Sequence, residues 1–431
     1  MLKSISKQAY RLRRPEQAPA AFRRAILEAM SPPAGPVSVE VPIDFQASLI
    51  AVPALISSPR DSRLPSDTDL APAVERMLLA RRPVIWAGSG SMFSNSSNEV
   101  IQLMELLDAA VITTQSARGI VPETDSRCIG HFATFPAVKE FVGKADLLIS
   151  AGVRFRGNET SNWSLKTPAE HIGIDVDPEA INRNFSHSIG IVGDAKTTLA
   201  AIVRLLCVQN PRPKLDYREE VAELQRVLRK EVHETLGPYQ DILDAIQKFI
   251  PEDAILVRDV TVPATTWGSR LIVRRYPRTT LHASAGGIGQ GLPMAIGAQI
   301  AAPTKTVVLL AGDGGLLVNI GELAAARQEN APIVVILFDD QGYGVLRNIQ
   351  NAHFDGKTFA VDLQSPDYVA LARAFGFNSE RVRSADEFRS AFSQAVKSRE
   401  PWMVVVDSTA IGPMKKIFAG PEGGAQLYKP H

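Results

Sequence analysis

Two β-branched runs, Val307 to Ala311 and Ile333 to Phe338, flank a stretch with Leu316, Ile320, Leu323 and Arg327 at helical spacing, and Pro332 separates that helix from the second run. This order is a βαβ unit. It forces two parallel strands and puts the loops after them at one carboxyl edge of a sheet, where open α/β folds take their ligands. The first run closes on Gly312, Asp313, Gly314 and Gly315, the second on Asp339, Asp340, Gln341 and Gly342. Asp313 and Asp340 are therefore expected to face one point. A hard cation such as Mg²⁺ is held by one or two carboxylates, with phosphates, waters or a backbone carbonyl completing its shell. Glycines in the first loop let backbone N–H groups approach a phosphate, and the helix that follows favours an anion at its start. Aspartates also serve as plain turn formers at strand ends, but their sharing of one βαβ unit favours the common-ligand reading.

At 431 residues, 45% of them hydrophobic, the chain can build two full cores and a smaller piece. Strand runs alternate with helical patterns in both large parts, which predicts an α/β protein with two doubly wound parallel sheets. Pro53, Pro59 and Pro65, with Ser57, Ser58, Ser62 and Ser66, mark a linker over 46–68, and Pro211 and Pro213 mark a second junction before the charged helical stretch Asp216 to His233. The expected units are then 1–45, 69–207 and 240–431, with 208–239 as connector. A net charge of +1 points neither to nucleic acid nor to an anionic membrane, and no apolar run approaches the roughly 18 residues of a membrane span. Cys128 and Cys207 are too few for a disulfide framework, so a reduced, cytoplasmic setting is expected. Lys3, Lys7, Arg11, Arg13 and Arg14 precede the first acid, Glu16, and read as a solvated helix and linker rather than a transit peptide. Gly88-Ser89-Gly90 lacks the third glycine of a dinucleotide fingerprint, and no two histidines have the spacing of a metal helix.

Gly312-Asp313-Gly314, followed by Asp340 and Gly342-Tyr343-Gly344, resembles the motif with which thiamine diphosphate-dependent enzymes hold Mg²⁺ and the cofactor's diphosphate. Upstream, Ala285-Gly286-Gly287-Ile288-Gly289-Gln290-Gly291-Leu292-Pro293 is similar to the segment of that family whose bulky residue bends the cofactor into a V. The resemblance implies Asp313, Asp340 and the Gly342 carbonyl as metal ligands. It implies Ile288 as the wedge, and Gly287, Gly312, Gly314, Gly315, Gly342, Tyr343 and Gly344 as further cofactor contacts. One departure stands out, because the family usually has asparagine at Asp340. A second carboxylate adds negative charge beside a diphosphate, which the metal must offset. Met1 to Asp44, with Arg14-Pro15-Glu16, a helix from Ala20 to Met30 and Gly35 to Asp44, resembles the end of the family's pyrimidine-binding domain. Residues 69–207 resemble its central domain, through strands at Pro83 to Gly90, Asp146 to Gly152 and Ile172 to Pro178, and 240–431 its diphosphate-binding domain.

In that family the early part of the first domain supplies a glutamate that hydrogen-bonds the aminopyrimidine. Glu16, Glu28 and Glu40 lie in the wrong part of the motif, so the glutamate is expected to be absent here, and such acid–base assistance is worth about 10² to 10⁴ in rate. Two expectations follow: a partner chain supplies the missing pyrimidine domain, or the chain is a truncated, non-catalytic cofactor-binding homologue. The family places its cofactor between subunits, which implies a homo-oligomer. Relatives resembling acetolactate synthase hold FAD through an Arg-Phe-Asp-Asp-Arg segment; Arg154-Phe155-Arg156-Gly157-Asn158 loses both acids, which weighs against FAD. Gly342 to Arg347 is similar to benzoylformate decarboxylase, and Ile349 stands where acetolactate synthases carry tryptophan. The implied activity is therefore the wider class, decarboxylation of a 2-oxo acid followed by protonation or addition to an aldehyde or ketone. His282 is a candidate site-liner, or a buried structural histidine.

Overall fold

The structure, a computed structural model, describes residues 2–52, 65–209, 215–418 and 420. Much of the proline–serine linker, including Pro53, Pro59, Ser57, Ser58 and Ser62, lies outside the described residues, as do Pro211 and Pro213. Its end is described: Ser66 caps the helix Asp67–Leu79, its hydroxyl accepting from the Asp69 amide while Asp69 accepts from the Ser66 amide.

Fourteen strands form three parallel sheets among the described residues. β1 (Gln8–Arg11) and β2 (Val37–Glu40) pair around the helix Ala18–Met30. The second sheet contains β3 (Pro83–Ala87), β4 (Ala110–Thr113), β5 (Cys128–Gly130), β6 (Leu147–Ala151), β7 (His171–Asp175) and β8 (Ile189–Val192), in the order β5-β4-β3-β6-β7-β8. The third contains β9 (Ile255–Arg258), β10 (Thr280–His282), β11 (Val307–Gly312), β12 (Val334–Asp339), β13 (Asn378–Val382) and β14 (Trp402–Asp407), in the order β10-β9-β11-β12-β14-β13. Both large sheets are doubly wound, as the alternating pattern predicts. Their central strands read as nearly continuous apolar runs because helices cover both faces, and every residue of β3, β6, β11 and β12 is buried.

One expected element is divided. The helical spacing from Leu316 to Glu329 belongs to two helices, Asp313–Val318 and Glu322–Gln328. The break falls at Asn319, whose side-chain amide donates to the Gly289 carbonyl at 2.8 Å, and near Gly321, a poor helix former. A periodic stripe survives such a break, since both halves face the same core.

The two large sheets share a seam. The helix Leu215–Glu234 carries the charges expected of a connector yet buries Tyr217, Val221, Leu228 and Val232, and one apolar cluster runs from Val84 and Trp86 through these residues to Leu310, Phe338 and Val406. Within the seam Arg118, fully buried, donates from Nε and Nη2 to the two oxygens of Glu123 at 2.7 Å each, and to the carbonyls of Gly268 (3.2 Å) and Ile272 (2.6 Å). Glu123 also accepts from the Arg274 amide at 2.9 Å. Burial would raise its carboxyl, but the Arg118 guanidinium holds it below the ordinary range.

Candidate functional site

β11 and β12 pair in parallel register, Gly312 opposite Phe338, so the loops that follow them leave the same edge side by side. Asp313 is buried there. Its Oδ1 accepts from the Gly314 amide and its Oδ2 from the Gly342 amide, each at 2.8 Å, so this one side chain stitches the two loops together. Asp340 lies within hydrogen-bonding reach of Asp313. Burial, and then the neighbouring Asp313 charge, push Asp340 up to about 7; burial raises Asp313 as well, against the two amides that favour its ionised form. Two carboxyls so placed share a proton, or a cation that replaces it.

The glycines of these loops are set by their neighbours. A Cβ on Gly314 would lie 2.6 Å from the Tyr343 ring, one on Gly344 would collide with Asp340 Oδ2, and one on Gly342 would stand 2.2 Å from both the Val361 carbonyl and Arg347. Gly314 thus packs its Cβ side against the Tyr343 ring, while its amide is directed to Asp313. Gly312 and Gly315 face Thr261 and Asp259 from the neighbouring strand end. Ile288 is half-buried on a loop whose Ser284 to Gly286 are exposed, and Gly287 donates its amide to the Ser284 carbonyl at 3.1 Å. The loop touches the Asp313–Val318 helix through Asn319.

Several residues that the motifs did not flag shape this edge. Arg347 donates to the carbonyls of Asp340 (3.2 Å) and Gln341 (3.1 Å) and to Asp362, fixing the second loop. Ser365 Oγ lies 3.3 Å from Asp313 Oδ2 and 3.2 Å from Asp339 Oδ1, and Arg381 pairs with Asp339 at 2.9 Å. Arg347 closes the stretch Gly342 to Arg347, three residues after Gly344, whereas Ser365 and Arg381 sit in no motif. A crevice of about 380 Å³ opens beside the edge, lined by Thr261, Val262, Phe338, Asp340, Arg347 and Thr409. His282 ends β10, and burial with the Arg258 charge lowers it to about 4, keeping it neutral. Phe155, in the segment compared with a flavin motif, is turned inward and packs edge-on against Trp86 at 5.3 Å.

Among the described residues, no group of three or more His, Cys, Asp or Glu side chains is placed to hold a metal. The donors that converge are a carboxylate pair and backbone, a set that suits Mg²⁺ with phosphate and water as co-ligands and does not suit a structural zinc. The arrangement is that of an α/β protein taking its ligand at the carboxyl edge of a parallel sheet.

Comparison with known proteins narrows this class. Residues 70–202 match the family described as thiamine pyrophosphate enzyme, central domain, and residues 263–406 the family described as thiamine pyrophosphate enzyme, C-terminal TPP binding domain. A probable 2-ketoarginine decarboxylase of Pseudomonas aeruginosa is 31% identical, over 88% of this chain and 69% of that protein. A probable acetolactate synthase large subunit of Methanocaldococcus jannaschii is 29% identical, over 97% of this chain and 74% of that protein. In fold, the chain is similar to the thiamine diphosphate-dependent 4-hydroxybenzoylformate decarboxylase of Rhodococcus jostii RHA1, with a TM-score of 0.77 at 23% identity, covering 94% of this chain and 77% of that one. The chain belongs to the thiamine pyrophosphate enzyme family. No helix among the described residues is long and apolar enough to cross a membrane.

Proposed function

We propose that the chain is a thiamine diphosphate- and Mg²⁺-dependent 2-oxo acid decarboxylase or carboligase of cytoplasmic setting. Asp313, Asp340 and the Gly342 carbonyl hold the metal, and the loops of Gly312, Gly314, Gly315, Tyr343 and Gly344 surround the diphosphate. The observation that carries this reading is the Asp313–Asp340 pair, one carboxyl buried and the other half-buried, kept in mutual reach where their repulsion favours a shared proton or a cation. Thiamine diphosphate, when bound, would supply a nucleophilic carbon and an electron sink for the decarboxylation of a 2-oxo acid. The chain's own part is to bind and orient. Ile288, with Gly287 beside it, braces the rings, and Arg347 holds the metal loop in shape. FAD is not part of the proposal, since Phe155 is committed to the core.

The carboxylate that activates the aminopyrimidine reaches the site, in this reading, across an interface with a partner subunit. The β1–β2 unit supports such a partner: Phe22, Ile26 and Met30 on its helix are exposed apolar side chains. The outer face of Gly291–Ala301, with Pro293, Gly297 and Ile300 exposed and no charge, supports self-association. Titrating thiamine diphosphate with Mg²⁺ into the purified protein, then adding 2-oxo acids and following CO₂, tests the whole. Saturable binding with turnover supports it; binding without turnover, even with candidate partners, favours a non-catalytic cofactor-binding homologue.

Two expectations arise at once. Ile288→Ala leaves diphosphate affinity largely intact and abolishes residual turnover, because it removes the brace and none of the anchors; a fall in affinity as large as that in turnover would argue against the wedge. The second is a proton linkage. Asp340, raised to about 7 from an ordinary 3.8, gives the metal-free fold a stability present below the ordinary value and lost as pH rises through 7. Mg²⁺ must displace that proton, so apparent Mg²⁺ affinity falls about tenfold per pH unit below 7 and levels off above it. Asp340→Asn flattens the slope. Calorimetry in two buffers of different ionisation enthalpy reads the released proton, and a pH-independent affinity in the parent protein would count against the assignment.

A further inference from the structure

We propose that Asp259 is the positioning residue for Ile288, its buried carboxylate filling a cradle of backbone N–H groups and so fixing the wedge loop before any cofactor arrives. The inference rests on the thiamine diphosphate reading above for its purpose, though not for its geometry.

Asp259 follows β9 directly and is only 3% exposed. Its own amide donates to the Leu310 carbonyl at 2.9 Å, which anchors it to β11. Its Oδ2 accepts from Gly289 at 3.0 Å and from Gly291 at 2.9 Å, and its Oδ1 accepts from Val260 at 2.7 Å and from Gly289 at 3.2 Å. Hydrogen bonds from backbone N–H groups to a carboxylate are the strong kind, and the Gly291–Ala301 helix presents its positive end to the same oxygens. A carboxylate is therefore better matched to this cradle than an amide, whose NH₂ group would face other donors.

The loop needs such a clamp. Ala285, Gly286 and Gly289 all have positive φ (55°, 71° and 83°), and a run of glycines has the largest conformational freedom to lose. Three ties hold it: Asp259 from inside the sheet edge, Asn319 Nδ2 on the Gly289 carbonyl at 2.8 Å, and Gln290, whose side chain accepts from the Ser284 amide and donates to the Ser284 carbonyl, both at 3.0 Å. Close packing makes the clamp exclusive. A Cβ on Gly291 would lie 2.8 Å from Asp259 Cβ, and one on Gly289 would lie 2.7 Å from Val318. Ile288 itself makes none of these bonds. Its position is inherited from Gly287 and Gly289 on either side.

The test compares the parent chain with Asp259→Asn, Asp259→Ala and Asn319→Ala. In the protein without ligand, hydrogen exchange over residues 284–292 is expected to be slow in the parent, about 10²-fold faster in Asp259→Ala, and intermediate in Asp259→Asn and Asn319→Ala. With thiamine diphosphate and Mg²⁺, the alanine variant keeps affinity close to the parent's but loses the circular dichroism that the rings acquire in a fixed posture, and Asp259→Asn recovers part of it. Unchanged exchange in every variant overturns the inference. Faster exchange with an unchanged dichroic band also overturns it, because Asp259 is then a helix cap and nothing more. If the parent binds no thiamine diphosphate, the cofactor reading fails, while the exchange arm still decides whether Asp259 fixes the loop. Should Asp259→Ala not fold, the asparagine variant and Asn319→Ala carry both arms.

Discussion

Asp313→Ala is expected to lower Mg²⁺-dependent binding of thiamine diphosphate by about 10³-fold or more. Loss of an outer partner of a metal ligand already costs 10- to 100-fold in affinity, and this change removes a ligand itself. It does a second thing. Both Asp313 oxygens are occupied by amides, Gly314 on one side and Gly342 on the other, so the truncation also unties the loop after β11 from the loop after β12. Asp313→Asn separates the two effects: it keeps an acceptor for one amide and abolishes the charge. Calorimetry on both variants is the measurement. If Asp313→Ala bound the cofactor within tenfold of the parent, the metal assignment would be wrong; if Asp313→Asn matched the parent while the alanine variant failed, the side chain would be a tie between loops and not a ligand.

Glu123→Gln is expected to destabilise the fold by about 3–5 kcal/mol, the usual cost of removing one partner from a buried ion pair. Arg118 stays fully buried with its charge uncompensated, and Arg258 and Arg274 are buried nearby. The double variant Arg118→Met with Glu123→Leu should cost much less, since a buried pair replaced by apolar groups of similar volume is often near neutral. The pH dependence follows from the sign. Glu123 is held below its ordinary value, so it contributes stability at neutral pH that is lost as the solution is acidified through the folded value. Urea unfolding at pH 7 and pH 4 should show the difference between parent and variant shrinking in acid. Equal stability of parent and Glu123→Gln at pH 7 would rule this account out.

The parallel sheets and the convergence of Asp313 and Asp340 were legible in the sequence because they depend on local signals: β-branched runs, a proline stop, glycines and acids at strand ends. The helix between the two strands was legible only as a stripe, and its division at Asn319 was not, since the cause is a carbonyl thirty positions upstream, at Gly289. The same limit hid Asp259, Ser365 and Arg381. Each acts on a segment remote in the chain, and a single polar residue carries no period that would mark it. Arg118 and Glu123 are a further case. They sit close in sequence, yet what makes them consequential is the absence of water around them, which only the packing of two sheets creates.

The apolar seam between those sheets has a mechanical consequence. Because one continuous set of side chains joins β3 to β11, β12 and β14 through the helix Leu215–Glu234, the two layers lack a slip plane and should melt together, as one calorimetric peak rather than two. The mouth that Asp340 and Arg347 line then keeps its width whether empty or full. The segment from Ser408 to Ile417 borders the mouth and is tied to the same seam through Ile411 and Met414.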